Sequence, residues 1–256
     1  MTNTYRPSPQ PRTARPLHKP AWRRLPVVLG TLASGAVILV GATTILLPDD
    51  ASRPERDNAV AGIDTTTAVP APSAITDITW NEVAGVSLPF SRTHGPRLTR
   101  DSTAGGYSRS TTGAALAAVQ VLVRTSAAAG PRIYAPVLAT QVTGADLPAM
   151  RLAVNDEYQR LRAQAGVADG EPVPTGGGAQ VLGYVVRGID LHEGTATLDV
   201  VLTSPDLSPS ARSVAFRVEM RWQNDDWRIV APANGDWGTT AMTLGAVPDG
   251  LVGYGG

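Results

Sequence analysis

From Leu25 to Leu47 the chain reads LPVVLGTLASGAVILVGATTILL, 23 residues without a charge. As a helix rising about 1.5 Å per residue it would reach roughly 34 Å, enough for the ~30 Å hydrocarbon core of a bilayer. Beyond it the apolar pattern takes a helical period and then a strand period. Thr112 is expected to cap a helix over residues 113–129, Ala-rich and ended by Gly130-Pro131. Its apolar residues lie almost all round, the mark of a buried helix, and Gln120 and Arg124 within it argue against a second membrane pass. A short helix is expected at 133–142, ended by Gly144. A third, at 146–165, places Leu147, Met150, Val154, Tyr158 and Leu161 three or four residues apart and stops at Gly166.

From residue 181 the period shortens to two. VLGYVVRGI at 181–189 and ATLDVVLT at 196–203 flank a turn with Glu193-Gly194, which reads as a hairpin. In SVAFRVEMRW, Val214, Phe216, Val218, Met220 and Trp222 alternate with Ala215, Arg217, Glu219 and Arg221, so one face is core and the other is wet. Asn224-Asp225 turns into WRIV as a second hairpin, and 241–254 reads as a weaker strand or an extended cover. Helices followed by an antiparallel meander predict an α+β fold with the helices on one face of the sheet.

The flanks of the apolar run set the organisation. Residues 1–24 carry Arg6, Arg12, Arg15, Lys19, Arg23 and Arg24 and no acid, with five prolines; they read as a disordered basic cytoplasmic tail. Pro48-Asp49-Asp50 follows the run, so the rest is expected outside the cell membrane, with the bilayer as a partner through 25–47. A cleaved signal peptide is the rival reading, but its apolar region is typically about 7–15 residues, and Ala59-Val60-Ala61 lies well downstream. Gly30 and Ser34 stand at a helix-pairing spacing common in such segments. Residues 48–79, with Thr65-Thr66-Thr67 and Pro70-Ala71-Pro72, read as a stalk, and 80–256 as the extracytoplasmic domain, whose opening at 80–111 is rich in turns.

Composition narrows the chemistry. After residue 24 there are 16 basic against 22 acidic residues, a net of −6, which argues against a nucleic-acid-binding body. With no cysteine there is no disulfide framework, thiol nucleophile or thiolate metal site. The one lysine, Lys19, stands before the span, so the external part has none for Schiff-base chemistry. His94 and His192 fall in turns, and two separated histidines make a poor metal site. Gly106-Tyr107-Ser108-Arg109-Ser110 approaches the G-x-S-x-G nucleophile elbow but ends in Ser, and Gly176-Gly177-Gly178 lacks the Lys of a phosphate loop. No cofactor or metal site is expected.

The order of elements, with the final hairpin running W-x-x-x-x-W-R-I-V from Trp222 to Val230, resembles the cone-shaped fold of the nuclear transport factor two superfamily. Together with basic tail, span and stalk it is similar to the bitopic assembly factors of type IV secretion systems and their TcpC-like relatives. The opening Trp80-x-x-x-x-Gly85-x-x-Leu88-Pro89, then Gly95-Pro96 and Gly113-Ala114-Ala115-Leu116-Ala117-Ala118, resembles membrane-anchored proteins encoded near actinobacterial transfer genes. The resemblance implies a non-enzymatic envelope subunit of a conjugative DNA-transfer apparatus, with other transfer subunits as partners and self-association open. It departs in having a single cone where TcpC-like proteins often carry two.

The alternative is a tethered cone that binds or converts a small apolar ligand. Asp199 with Tyr134, Tyr158 or Tyr184 is the candidate base and donor pair for conversion. Trp222, Trp227 and Trp237 are candidates for a stacking or partner surface. Trp222 at strand spacing is expected in the core, and Trp237, in Asn234-Gly235-Asp236-Trp237-Gly238, in a loop as the partner contact. The topology is testable in this cysteine-free chain by placing one cysteine at Ser8 or at Ser210. In intact cells an impermeant maleimide should label Ser210→Cys and spare Ser8→Cys; the reverse would invert the orientation.

Overall fold

A computed structural model describes residues 75–100, 102–174, 179–203 and 213–254. The tail, the apolar run and most of the stalk lie outside the described residues, and among the described residues no helix is long and apolar enough to cross a membrane. The fold is mixed α+β. Two hairpins open it: β1 (Ile78–Val83) with β2 (Val86–Ser91), and β3 (Leu98–Arg100) with β4 (Thr103–Gly105). Three helices follow, α1 (Thr111–Arg124), α2 (Pro131–Thr140) and α3 (Leu147–Ala165), with the short β5 (Val142–Thr143) before the last. Then come β6 (Gln180–Asp190), β7 (Thr195–Thr203), β8 (Ser213–Gln223), β9 (Asp226–Val230) and β10 (Ala241–Leu244).

The main sheet runs β5-β9-β8-β7-β6, antiparallel except for the β5–β9 pair. β9 and β10 share one edge of β8, opposite Met220–Gln223 and Ser213–Phe216 respectively. Two register shifts in the β6–β7 ladder, at Val181/Gly183 and Val186/Gly188, add local twist and bend the sheet. Its concave face closes on α1, which touches β6, β7, β8 and β9 and also β2, β4 and α2. Ala114, Ala115, Ala117 and Ala118 are fully buried, because only small side chains let strands approach one helix from several sides.

The polar residues of α1 tie the opening segment to this core. Gln120 Nε2 donates to Pro89 O at 2.7 Å, and Arg124 donates to Ser102 O and to Gln120. The helix starts one residue before its expected cap: Thr111 is its first residue and Ser110 caps it, accepting from Gly113 N at 3.0 Å. A Cβ on Gly113 would meet Ser108 O at 2.0 Å, so this close approach admits only glycine. α1 also ends earlier than its composition predicts, with residues 127–129 forming a 3-10 turn. α2 begins at Pro131, whose missing N–H costs nothing at a helix start.

The folded part reaches further upstream than the expected boundary at residue 80. Ile75 lies in the core and Asp77 accepts from Ser91 Oγ and Thr93 N, which hold its carboxyl down at about 2. β1 and β2 meet at Ala84-Gly85, both with positive φ, the geometry of a two-residue hairpin turn. Asn224-Asp225, also at positive φ, closes the β8–β9 hairpin as expected.

The largest fully buried side chain is Trp227, while Trp222 sits on the core side at a strand end and stays partly exposed. The two rings meet edge to face at 5.4 Å, and Trp227 Nε1 donates to Ser108 O at 3.0 Å. Trp227→Ala should therefore cost about 3–5 kcal/mol in denaturant unfolding. Trp222→Ala should cost less, and Arg221→Ala on the wet face should stay within about 0.5 kcal/mol. Equal losses at 222 and 227 would contradict this packing.

Candidate functional site

Where α1 ends, the wrapping of the sheet leaves a cavity of about 450 Å³. One wall is Leu122 and Val123 of α1 with the small side chains Ala127–Ala129 of the turn that follows. Another is the face of α3 at Ala153 and Val154. Leu202 and Phe216 close it from the sheet, and Ala84 and Val86 from the first hairpin. The remaining wall is Trp237, which opens a 3-10 turn over Trp237–Thr240 whose cap, Asp236, accepts from Gly238 N at 2.7 Å.

The Trp237 segment is fixed against the start of α3. A Cβ on Gly235 would stand 2.2 Å from Met150 N, so glycine is what lets the two backbones meet. Asn234 N donates to Asp146 Oδ1 at 3.2 Å just before α3. The indole is thereby inside: Trp237 is 8% exposed and lines the cavity instead of presenting a ring from an outward loop. Its Nε1 is buried and has no hydrogen-bond partner among the described residues. Sequence reading singled this residue out but could not see that its loop folds inward, because the anchoring partner, α3, lies some eighty residues earlier.

Charged side chains on the lining are Asp156, Glu157, Arg160 and Asp236. Asp156, Arg160 and Asp236 are exposed and so mark the mouth. Arg160 is clasped by Glu157 through both of its carboxylate oxygens, with Nε to Oε2 at 2.7 Å.

The candidate base and donor pair is not assembled. Asp199 pairs with Val185 and Arg217 in the ladders, on the face of β7 opposite Leu198 and Val200, which are core. It is 1% exposed because two arginines cover it: Arg187 Nε donates to Oδ2 at 2.6 Å and Arg217 Nε to Oδ1 at 2.9 Å. Burial by itself would raise this carboxyl, but hydrogen bonds and charge from Arg217 and Arg187 outweigh it and hold the group below 3.8. The tyrosines are elsewhere. Tyr184 is in the core against Tyr254, with ring centroids 5.2 Å apart, and burial raises its hydroxyl. Tyr158 bonds Glu171 O at 3.0 Å and accepts from Gly170 N, and Tyr134 reaches Asn155.

His192 is exposed in its hairpin turn, as its position predicts. His94 instead meets a hydroxyl: its Nδ1 is 3.0 Å from Ser108 Oγ, which is 2.8 Å from the capping Ser110 Oγ. Among the described residues no carboxylate orients the ring, and neither His94 nor Ser108 lines the cavity. The trio braces the turn against the α1 N-terminus, a contact sequence reading missed because fourteen residues separate its ends. Among the described residues no group of three or more His, Cys, Asp or Glu could hold a metal ion.

A family model described as a domain of unknown function, DUF8175, matches residues 46–247. The chain belongs to this family. No curated protein and no solved structure matches it. The DUF8175 match takes in every wall of the cavity, from Ala84 to Trp237. It begins as the apolar run ends.

The Asp199 pairing carries a pH prediction for the DUF8175 domain. A carboxyl held lower in the folded than in the unfolded state stabilises above its unfolded value near 3.8, and that contribution fades as the pH falls below it. Asp199→Asn should cost about 1–3 kcal/mol at neutral pH, moderated because both arginines are partly solvated. The difference from wild type should shrink when unfolding is measured below about pH 3.8. A cost that persisted unchanged in acid would deny the ion pair its role.

Proposed function

We propose that this DUF8175 protein is a non-enzymatic, membrane-anchored envelope component whose extracytoplasmic domain binds a small apolar ligand. The cavity carries the reading. At about 450 Å³ it falls within the roughly 300–1,000 Å³ of small-molecule sites, and its walls are mainly aliphatic and aromatic, with the charged side chains Asp156, Glu157, Arg160 and Asp236 on the lining. Binding is favoured over conversion because the best candidate base, Asp199, is committed to two arginines on the far face of the sheet. The span at 25–47, with the basic tail inside, supports the anchor and its orientation.

A second reading, that the domain is an assembly subunit of a conjugative, type IV secretion-like apparatus, is supported by the resemblance to bitopic assembly factors and by one surface. The outer sheet face carries Arg187, Arg217 and Arg221 exposed, with Asp199 between the first two, Glu219 between the last two and Arg228 opposite Arg221, which leaves a net positive charge. Such a basic face suits an acidic partner held in the same envelope layer, where tethering raises effective concentration. The two readings are compatible, since ligand and partner would use different faces.

The ligand reading is tested on the full chain in nanodiscs with N-phenyl-1-naphthylamine, an uncharged apolar probe. At about a hundred times its Kd the probe should stabilise the domain by about 2.7 kcal/mol, a rise in Tm of several degrees. Ala153→Leu, which fills the cavity, should abolish the rise while leaving circular dichroism unchanged. A rise of the same size in the filled variant would mean that the probe acts elsewhere.

A further inference from the structure

The outer sheet face holds an arrangement that the cavity does not use. Asp199 stands on β7 with Val185 of β6 on one side and Arg217 of β8 on the other. The register shift at Val186/Gly188 makes Arg187 the extra residue of a bulge, a device that re-aims one side chain, and its guanidinium reaches Asp199. Both arginines converge on the same oxygen. Arg187 Nε donates to Oδ2 at 2.6 Å and Arg217 Nη2 to Oδ2 at 3.2 Å, which holds the two cations side by side. The carboxylate between them is buried, whereas both arginine side chains are nearly half exposed.

One carboxylate leaves two guanidiniums with donors to spare. Each has five N–H groups, of which Arg187 spends one on Asp199 and Arg217 two, and among the described residues no other acceptor engages the rest. The pair keeps a net positive charge, and Arg221 with Arg228 opposite it outnumber Glu219 on the same face. Beside the clamp, Gly188 stands opposite Thr197, and a Cβ there would meet nothing within 4 Å. The glycine leaves a notch where another group can come close to the strand.

We infer that Arg187 and Arg217 form a receptor for a terminal phosphate, whether free or carried on a lipid. The inference rests on reading this face as a partner surface and gives the partner a chemistry. The planar fork of arginine matches oxyanions, and a carboxylate, with two oxygens, is filled by a single fork. A terminal phosphate has three acceptor oxygens and up to two charges, enough to accept from both guanidiniums at once. Asp199 holds the two arginines together before any ligand arrives, which lowers the ordering cost of binding.

Arginine footprinting with phenylglyoxal on the full chain, read residue by residue by mass spectrometry, tests this. In dodecyl maltoside micelles inorganic phosphate should slow modification of Arg187 and Arg217 about fivefold and that of Arg221 less than about twofold, while acetate at equal ionic strength should slow neither. Nanodiscs of phosphatidylcholine doped with phosphatidic acid separate the sources. Protection there without free phosphate assigns the group to lipid, and protection by inorganic phosphate alone assigns it to a soluble ligand. Arg217→Lys, which keeps the charge and removes the fork, should abolish most of the protection of Arg187. Gly188→Val, which changes no charge and fills the notch, should do the same and serves should the first variant misfold. Protection of Arg187, Arg217, Arg221 and Arg228 alike, acetate matching phosphate, or protection of Arg187 that survives in the folded variants would overturn the inference and leave the partner surface standing. Absence of protection by every one of these anions would bring down both.

Discussion

Everything in this fold is arranged around the burial of α1. Twelve of its fourteen residues, Gly113 to Arg124, are buried, and strands or helices press on it from the sheet, the opening hairpins and α2. A helix surrounded in this way must be narrow, hence the run of alanines, and the sheet must bend, hence the irregularities of the β6–β7 ladder. It must also satisfy polar groups internally. Gln120 and Arg124 do so by capturing carbonyls at Pro89 and Ser102, which converts a desolvation cost into a clamp on the N-terminal segment.

The cavity is the other side of the same constraint. α1 stops at Arg124, before the hydrophobic run does, and the chain continues through three alanines in a 3-10 turn. Small residues there and at Ala153 leave volume that larger side chains would have filled. The C-terminal segment closes the space not with an aliphatic plug but with Trp237, held by Gly235 against α3.

Much of the framework was legible because it rests on local rules. Period-two alternation placed β8 and its two faces, Asn224-Asp225 marked a turn, and Gly166 ended α3. What escaped depends on distant partners. Thr112 looks as good a cap as Ser110 until Ser108 and His94 are seen bracing the latter. Ala84-Gly85 carries no strong turn signal, since alanine rarely adopts positive φ, so the first hairpin stayed hidden in a turn-rich stretch. Trp222 and Trp227 are equivalent in a strand pattern and stand directly opposite each other in the hairpin register, and what singles out the deeper one is Ser108, whose carbonyl accepts from the Trp227 indole. The cavity walls come from seven separate segments, none distinctive by itself.

The distribution of polar groups between the two faces of the sheet gives the domain its division of labour. Charge is confined to the outer face, where Asp199 neutralises part of an arginine row and is itself held ionised. The inner face is left to apolar side chains and Tyr184, and burial drives its hydroxyl away from ionisation, as it does still more strongly for Tyr107 and Tyr254, which pack into the same core from outside the sheet. General acid–base chemistry needs a group near its working pH beside the bound molecule. Here Asp199 is separated from the cavity by the thickness of the sheet, the carboxylates that do line it are Asp156 and Glu157 of α3 and the capping Asp236, and the buried phenols are held in their neutral form. The proposed ligand reading asks no more of such an environment than shape and apolar contact.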